Sequence, residues 1–146
     1  MALDAHASEA RRGGLNAVAA LAALCLAAGA LHVRLPVTHF TLRWRHSIEK
    51  IEWDEDYEVA GDWLLLSQAR IRGSGAGMEP PPGATLFDGA WHYRLADPWR
   101  REVVLARSDF VPDYELCFAG RCQRLWRWIP VSAGPTTLTA CAAPPP

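Results

Sequence analysis

The chain is short of the features that would announce a chemistry. Its 146 residues carry a net charge of −1, which leaves no bulk electrostatic case for binding nucleic acid. Lysine is nearly missing: Lys50 stands against fourteen arginines, a bias we read as genome composition. None of the four cysteines forms a Cys-x-x-Cys pair, so no zinc site is expected, and no cofactor is implied. The one glycine-rich stretch, Gly73 to Met78, lacks a Gly-Lys-Ser/Thr ending and runs into Pro80-Pro81-Pro82. A helix cannot follow directly, and a phosphate-cradling P-loop is excluded. After Leu31 no stretch shows helical periodicity.

What is present is aromatic and alternating. Seven tryptophans supply large flat apolar surface for a thin β-core or a ligand or partner face. Between Thr38 and Val59, Phe40, Leu42 and Trp44 alternate with Thr41, Arg43 and Arg45. Ile51, Trp53, Tyr57 and Val59 then alternate with Glu52, Asp54, Asp56 and Glu58. This is a β-hairpin closing around His46-Ser47-Ile48-Glu49-Lys50. One register faces Trp44 with Trp53, Phe40 with Tyr57, Arg45 with Glu52, Arg43 with Asp54, and His39 with Glu58. Each such pair contributes roughly 0.2–1 kcal/mol. Glu55 and His46 interrupt the apolar stripe. Together they suggest a site, although a paired structural carboxylate satisfies the same pattern.

Residues 1–14 form a polar n-region on the cytoplasmic side. Leu15 to Leu31 is apolar apart from Asn16. As a helix this run is about 25 Å long, against a bilayer core of about 30 Å. It reads as a secretory signal cut near Ala28-Gly29-Ala30, or as an uncleaved transmembrane anchor. Either places the remainder in the periplasm. Gly61-Asp62, Asp88-Gly89 and Ala119-Gly120 are turn signals. The last puts Cys117 opposite Cys122, where a disulfide fits. Residues 130–146, rich in Pro and Ala, read as a flexible tail. The sum is an all-β domain over 37–129, a small antiparallel β-sandwich or partly open barrel of roughly seven strands, preceded by one N-terminal hydrophobic helix.

His46-Ser47-Ile48-Glu49-Lys50, Trp53-x-Glu55-x-Tyr57, Gly75-Ala76-Gly77-Met78 and Asp88-Gly89 together resemble a bacterial and archaeal family, domain of unknown function 1850, over roughly Phe40 to Leu116. The proline-ended tail and Cys117–Cys122 depart from that pattern. The resemblance implies a small exported or membrane-anchored protein, encoded near tripartite ATP-independent periplasmic (TRAP) transporters with TAXI-type receptors. It carries over no catalytic residue.

The expectation is therefore a non-enzymatic accessory of such a transporter at the outer face of the inner membrane. Its partner would be the permease or solute receptor. The contact face would include His46, Ser47, Glu49, Lys50, Glu55, Gly75, Gly77 and Met78. The alternative is a stand-alone periplasmic module holding a small anion in a Trp-lined cleft. A hydrolase fits less well, because Ser47 and His46 are sequence neighbours and strand neighbours point to opposite faces.

Overall fold

A computed structural model describes residues 22–45, 51–72 and 80–142. Among them are twelve strands, all paired antiparallel, in two sheets that do not close into a barrel. The smaller sheet has the order β2 (Leu31–Leu35), β1 (Ala22–Ala28), β12 (Thr136–Ala142), β9 (Glu102–Leu105). The larger runs β11 (Arg121–Arg124), β10 (Glu115–Phe118), β3 (His39–Arg45), β4 (Glu52–Ala60), β5 (Trp63–Arg72), β7 (Ala90–Tyr93), β6 (Thr85–Phe87). The short β8 (Trp99–Arg100) pairs with β5. One core lies between the sheets, built from Leu24, Leu26 and Leu138 of the smaller and Phe40, Leu42, Tyr57, Leu64 and Leu116 of the larger. The all-β expectation holds, in its sandwich form.

The strand count exceeds seven because five strands were not legible in the sequence: β1, β2, β6, β8 and β12. Two expectations are corrected here. Of the apolar run expected to be helical, residues 15–21 lie outside the described residues, and Ala22 to Leu31 forms β1, a two-residue turn and the start of β2 instead of a helix. The confusion has a physical cause. β1 is an interior strand with Leu24, Leu26 and Ala28 facing the core and Ala23, Cys25 and Ala27 on the other face. A strand apolar on both faces shows no alternation, and its sequence reads like a hydrophobic helix. The tail is the second correction. Through Ala142 it is ordered, with a 3-10 turn over Val131–Ala133 and then β12, which pairs with β1 and β9.

The central hairpin has the expected register in every described pair, from His39 opposite Glu58 to Arg45 opposite Glu52. β5 explains its own irregular sequence. Leu64 and Leu66 face the core, then Ala69 and Ile71 do, so the parity changes between them. The register shift opposite Asp56 and Tyr57 absorbs one extra residue, Ser67, whose Oγ donates to the Asp56 carbonyl oxygen at 3.1 Å. The bulge keeps both halves of a long strand facing inward.

Both ends of the described chain are clamped. Cys25 and Cys141 are disulfide-bonded across β1 and β12, and Cys117 and Cys122 across β10 and β11. No described cysteine is free. The segment between β9 and β10 is held by Arg107, whose side chain is fully buried against Asp113 at 2.8 and 3.0 Å. Arg107 also donates to Thr136 Oγ1 at 3.0 Å, and Asp113 accepts from the Trp126 amide at 2.7 Å. A bidentate pair with its remaining lone pairs satisfied is the geometry in which a buried charge is tolerated.

Candidate functional site

The two faces of the large sheet carry different chemistry. On its outer face the sequence alternation lines up a row of opposite charges across five strands: Arg124, Glu115, Arg43, Asp54, Arg70. Asp54, at the centre, is only 1% exposed. It accepts from Arg43 at 2.8 and 3.2 Å and faces Arg70 at 3.5 Å. Arg70 is paired with Asp56, which also accepts from Thr41 at 2.6 Å. The Asp54 carboxylate raises the pKa of Arg43, and Asp56 raises that of Arg70, each against the opposing effect of burial. These charges satisfy one another, so the row is a built structural feature.

On the inner face one acid stands in an apolar row. Glu55 lies between Leu42 and Ala69, with Leu116 and Tyr93 further out on either side. Its Oε1 accepts from Trp44 Nε1 at 2.9 Å and its Oε2 from the Tyr57 hydroxyl at 2.5 Å. Two neutral donors thus hold the carboxylate, and no ion pair to it occurs among the described residues. Burial, and then the charge of Glu55, pushes the pKa of Tyr57 up strongly. Tyr93 and Tyr114 are raised by the same two causes in the same order. Trp44 stacks on Trp53 with ring centroids 5.0 Å apart. The indole N–H of Trp53 is buried without a partner among the described residues. Glu55 is therefore the centre of an aromatic cluster of Trp44, Trp53, Tyr57, Tyr93 and Tyr114.

Of the expected site residues, Glu55 is placed in this way. His46, Ser47, Glu49, Lys50, Gly75, Gly77 and Met78 lie outside the described residues. The residues flanking them can be located. Arg45 and Glu52 face each other, and Glu52 faces Arg72. Both segments therefore leave the sheet at one end of β3–β5, beside the Trp44–Trp53 stack. Among the described residues, no group of three His, Cys, Asp or Glu side chains is gathered closely enough to hold a metal ion.

A second surface feature was not singled out in the sequence. The pairing of β5 with β8 brings Trp99 to Trp63, ring centroids 6.3 Å apart and edge to face. They line a cleft of about 510 Å³ with Asp97. The Arg101 guanidinium lies 3.9 Å from the Trp63 ring centre, a cation–π contact. Trp99 is 46% exposed. The sequence signal was the isolated Trp in each strand, and only their pairing makes it a site.

Residues 40–125 match the family model described as domain of unknown function (DUF1850). No curated protein and no solved structure matches the chain. The matched span is more than half of the chain and contains the hairpin from Phe40 on, both disulfide cysteines of β10–β11 and the Glu55 cluster. The chain belongs to this family.

Proposed function

We propose that this protein is an extracytoplasmic binding protein, an accessory of a TRAP-type transporter at the outer face of the inner membrane, and that it carries out no reaction of its own. The observation that carries the location is the pairing of every cysteine in the chain into two disulfides. Such bonds persist in oxidising compartments and are rare elsewhere. The transporter as partner rests on the family resemblance. The binding role is supported by the Glu55 cluster. Both carboxylate oxygens are engaged by fixed neutral donors, an arrangement that positions a charge near the Trp44–Trp53 end of the sheet. The proposed contact face is then the sheet end at Trp44 and Trp53, together with His46, Ser47, Glu49, Lys50, Gly75, Gly77 and Met78, which follow Arg45 and Arg72 in the chain.

The test is co-purification of the tagged full chain from detergent-solubilised membranes with mass spectrometry of its companions. A permease or solute receptor in near-equal amount is the expected result, reduced by His46→Ala with the fold intact. Failure to recover either would defeat the accessory role.

The second reading, a stand-alone module for a small organic anion, is favoured by the Trp-lined cleft at Trp63 and Trp99 and by the Arg101 guanidinium stacked on the Trp63 ring, although Asp97 also lines that cleft. It predicts a thermal upshift with added carboxylates that disappears in Arg101→Ala, whereas a pure partner subunit predicts no shift.

A further inference from the structure

The apolar segment near the N-terminus has two incompatible uses, and the structure discriminates between them. Leu24 and Leu26 are fully buried in the core, and Ala28 nearly so. β1 is hydrogen-bonded on both sides, to β2 and to β12. Its Cys25 is bonded to Cys141, 116 residues away in sequence. The small residues that resemble a signal-cleavage site do another job. Ala28 pairs with Leu31, and Gly29-Ala30 is the tight turn joining β1 to β2, with Gly29 at φ +57°. A positive φ at the first central position of a two-residue hairpin loop is the conformation that glycine supplies without steric cost.

We infer that Ala22–Ala28 belongs to the mature folded domain, so that any cleavage site or membrane-spanning segment must end before Ala22. This rests on the extracytoplasmic reading only for the route of export. Cutting at Ala28 to Ala30 would remove an interior strand, three core side chains and one half of the long-range disulfide. Placing Ala22 to Leu31 in a bilayer would do the same. Without those residues, the apolar run keeps only Leu15 to Leu21, seven residues or about 10 Å of helix, a third of a bilayer core. Residues 15–31 cannot span a membrane while the sandwich is folded. A leader cut before Ala22 would have to fit both its apolar stretch and its small-residue cleavage site into or ahead of these seven residues.

The experiment is expression of the full chain in a bacterium with an oxidising periplasm, recovery of the mature protein, and peptide mapping without reduction. Trypsin cuts after Arg34 and Arg127, so the fragment ending at Arg34 and the fragment Trp128 to Pro146 should be joined through Cys25 and Cys141. The expected first residue of the mature chain is Ala22 or earlier. A mature chain beginning after Ala28 overturns the inference. So does an intact chain in which Cys117–Cys122 is bonded while Cys25 is not. If all four cysteines are reduced, the extracytoplasmic reading fails separately, and Leu24→Ala in the recovered full chain decides the placement of β1. A core strand loses about 10 °C or more in Tm, whereas a Leu24 lying outside the domain leaves Tm unchanged.

Discussion

Removing each disulfide separately should cost very different amounts. A crosslink stabilises chiefly by restricting the unfolded chain, and the effect grows with the logarithm of the closed loop. Cys25 and Cys141 are 116 residues apart; Cys117 and Cys122 are five apart. The loop-closure relation gives about 5 kcal/mol for the first and about 2 kcal/mol for the second. At about 4 °C per kcal/mol for a domain of this size, Cys25→Ala/Cys141→Ala should lower Tm by about 20 °C, and Cys117→Ala/Cys122→Ala by about 8 °C. The long-range bond also fastens β1 to β12 at the ends of the described chain, so its loss should permit local opening of those strands before global unfolding. Calorimetry and urea titration of the two double variants, against the oxidised parent, measure the difference. Equal losses, or a larger loss for the hairpin pair, would refute the reasoning and would mean that β1 contributes little to the cooperative unit.

Removing a buried acid should be costly in two places. Asp113→Ala strands the fully buried Arg107 and should destabilise by about 3–5 kcal/mol in urea unfolding, whereas Asp54→Ala leaves Arg43 with Glu52 and Arg70 with Asp56 and should cost clearly less. At the inner site, Glu55→Ala leaves the Trp44 and Tyr57 donors without their acceptor and should cost about 2–4 kcal/mol, while Glu55→Gln, which retains an acceptor, should lose less; equal losses by chemical denaturation would contradict the hydrogen bonding described. All three tyrosines of the chain are raised above their ordinary value of 10.0 in the folded state. Unfolded tyrosines therefore release protons first as pH rises through 10, so this stability is complete below pH 10 and is lost as pH rises towards the folded values, chiefly through Tyr57, the most buried of the three; an ultraviolet titration should show less phenolate at pH 10 in the folded protein than in the unfolded chain, and equal phenolate would contradict this. At the β10–β11 turn Ala119 has φ +51°, a conformation that costs an L-residue about 1 kcal/mol, so Ala119→Gly should raise the midpoint of unfolding, and a fall would show that the turn tolerates alanine without strain.

What the sequence alone determined is the part written in neighbouring residues. Alternation of aromatic with charged side chains fixes which face of β3 and β4 is wet, because a shift by one residue would invert both faces; a shift by two would keep them, and the structure selects the register that sets Trp44 against Trp53 and Arg43 against Asp54. Asp88-Gly89 and Ala119-Gly120 adopt positive φ at both central positions, and the second turn sets Cys117 against Cys122. Glu55 was legible as an intrusion in an apolar stripe. Its donors, Trp44 and Tyr57, were legible only as its neighbours in phase.

Tertiary structure decided the rest, for reasons of distance along the chain. The Ala/Leu run from Ala22 carries no alternation, and only the pairing of Cys25 with Thr139 and the bond to Cys141 make it an interior strand. Ser67 is an ordinary polar residue in sequence, and becomes a bulge only because Asp56 and Tyr57 lie opposite with one residue fewer. Arg107 and Asp113 look like surface charges until Thr136 and Trp126 close over them. Trp63 and Trp99 form a cleft only because β8 returns to β5. Local patterns encode the orientation of a strand, whereas which strands meet is settled by how one shared core can be buried.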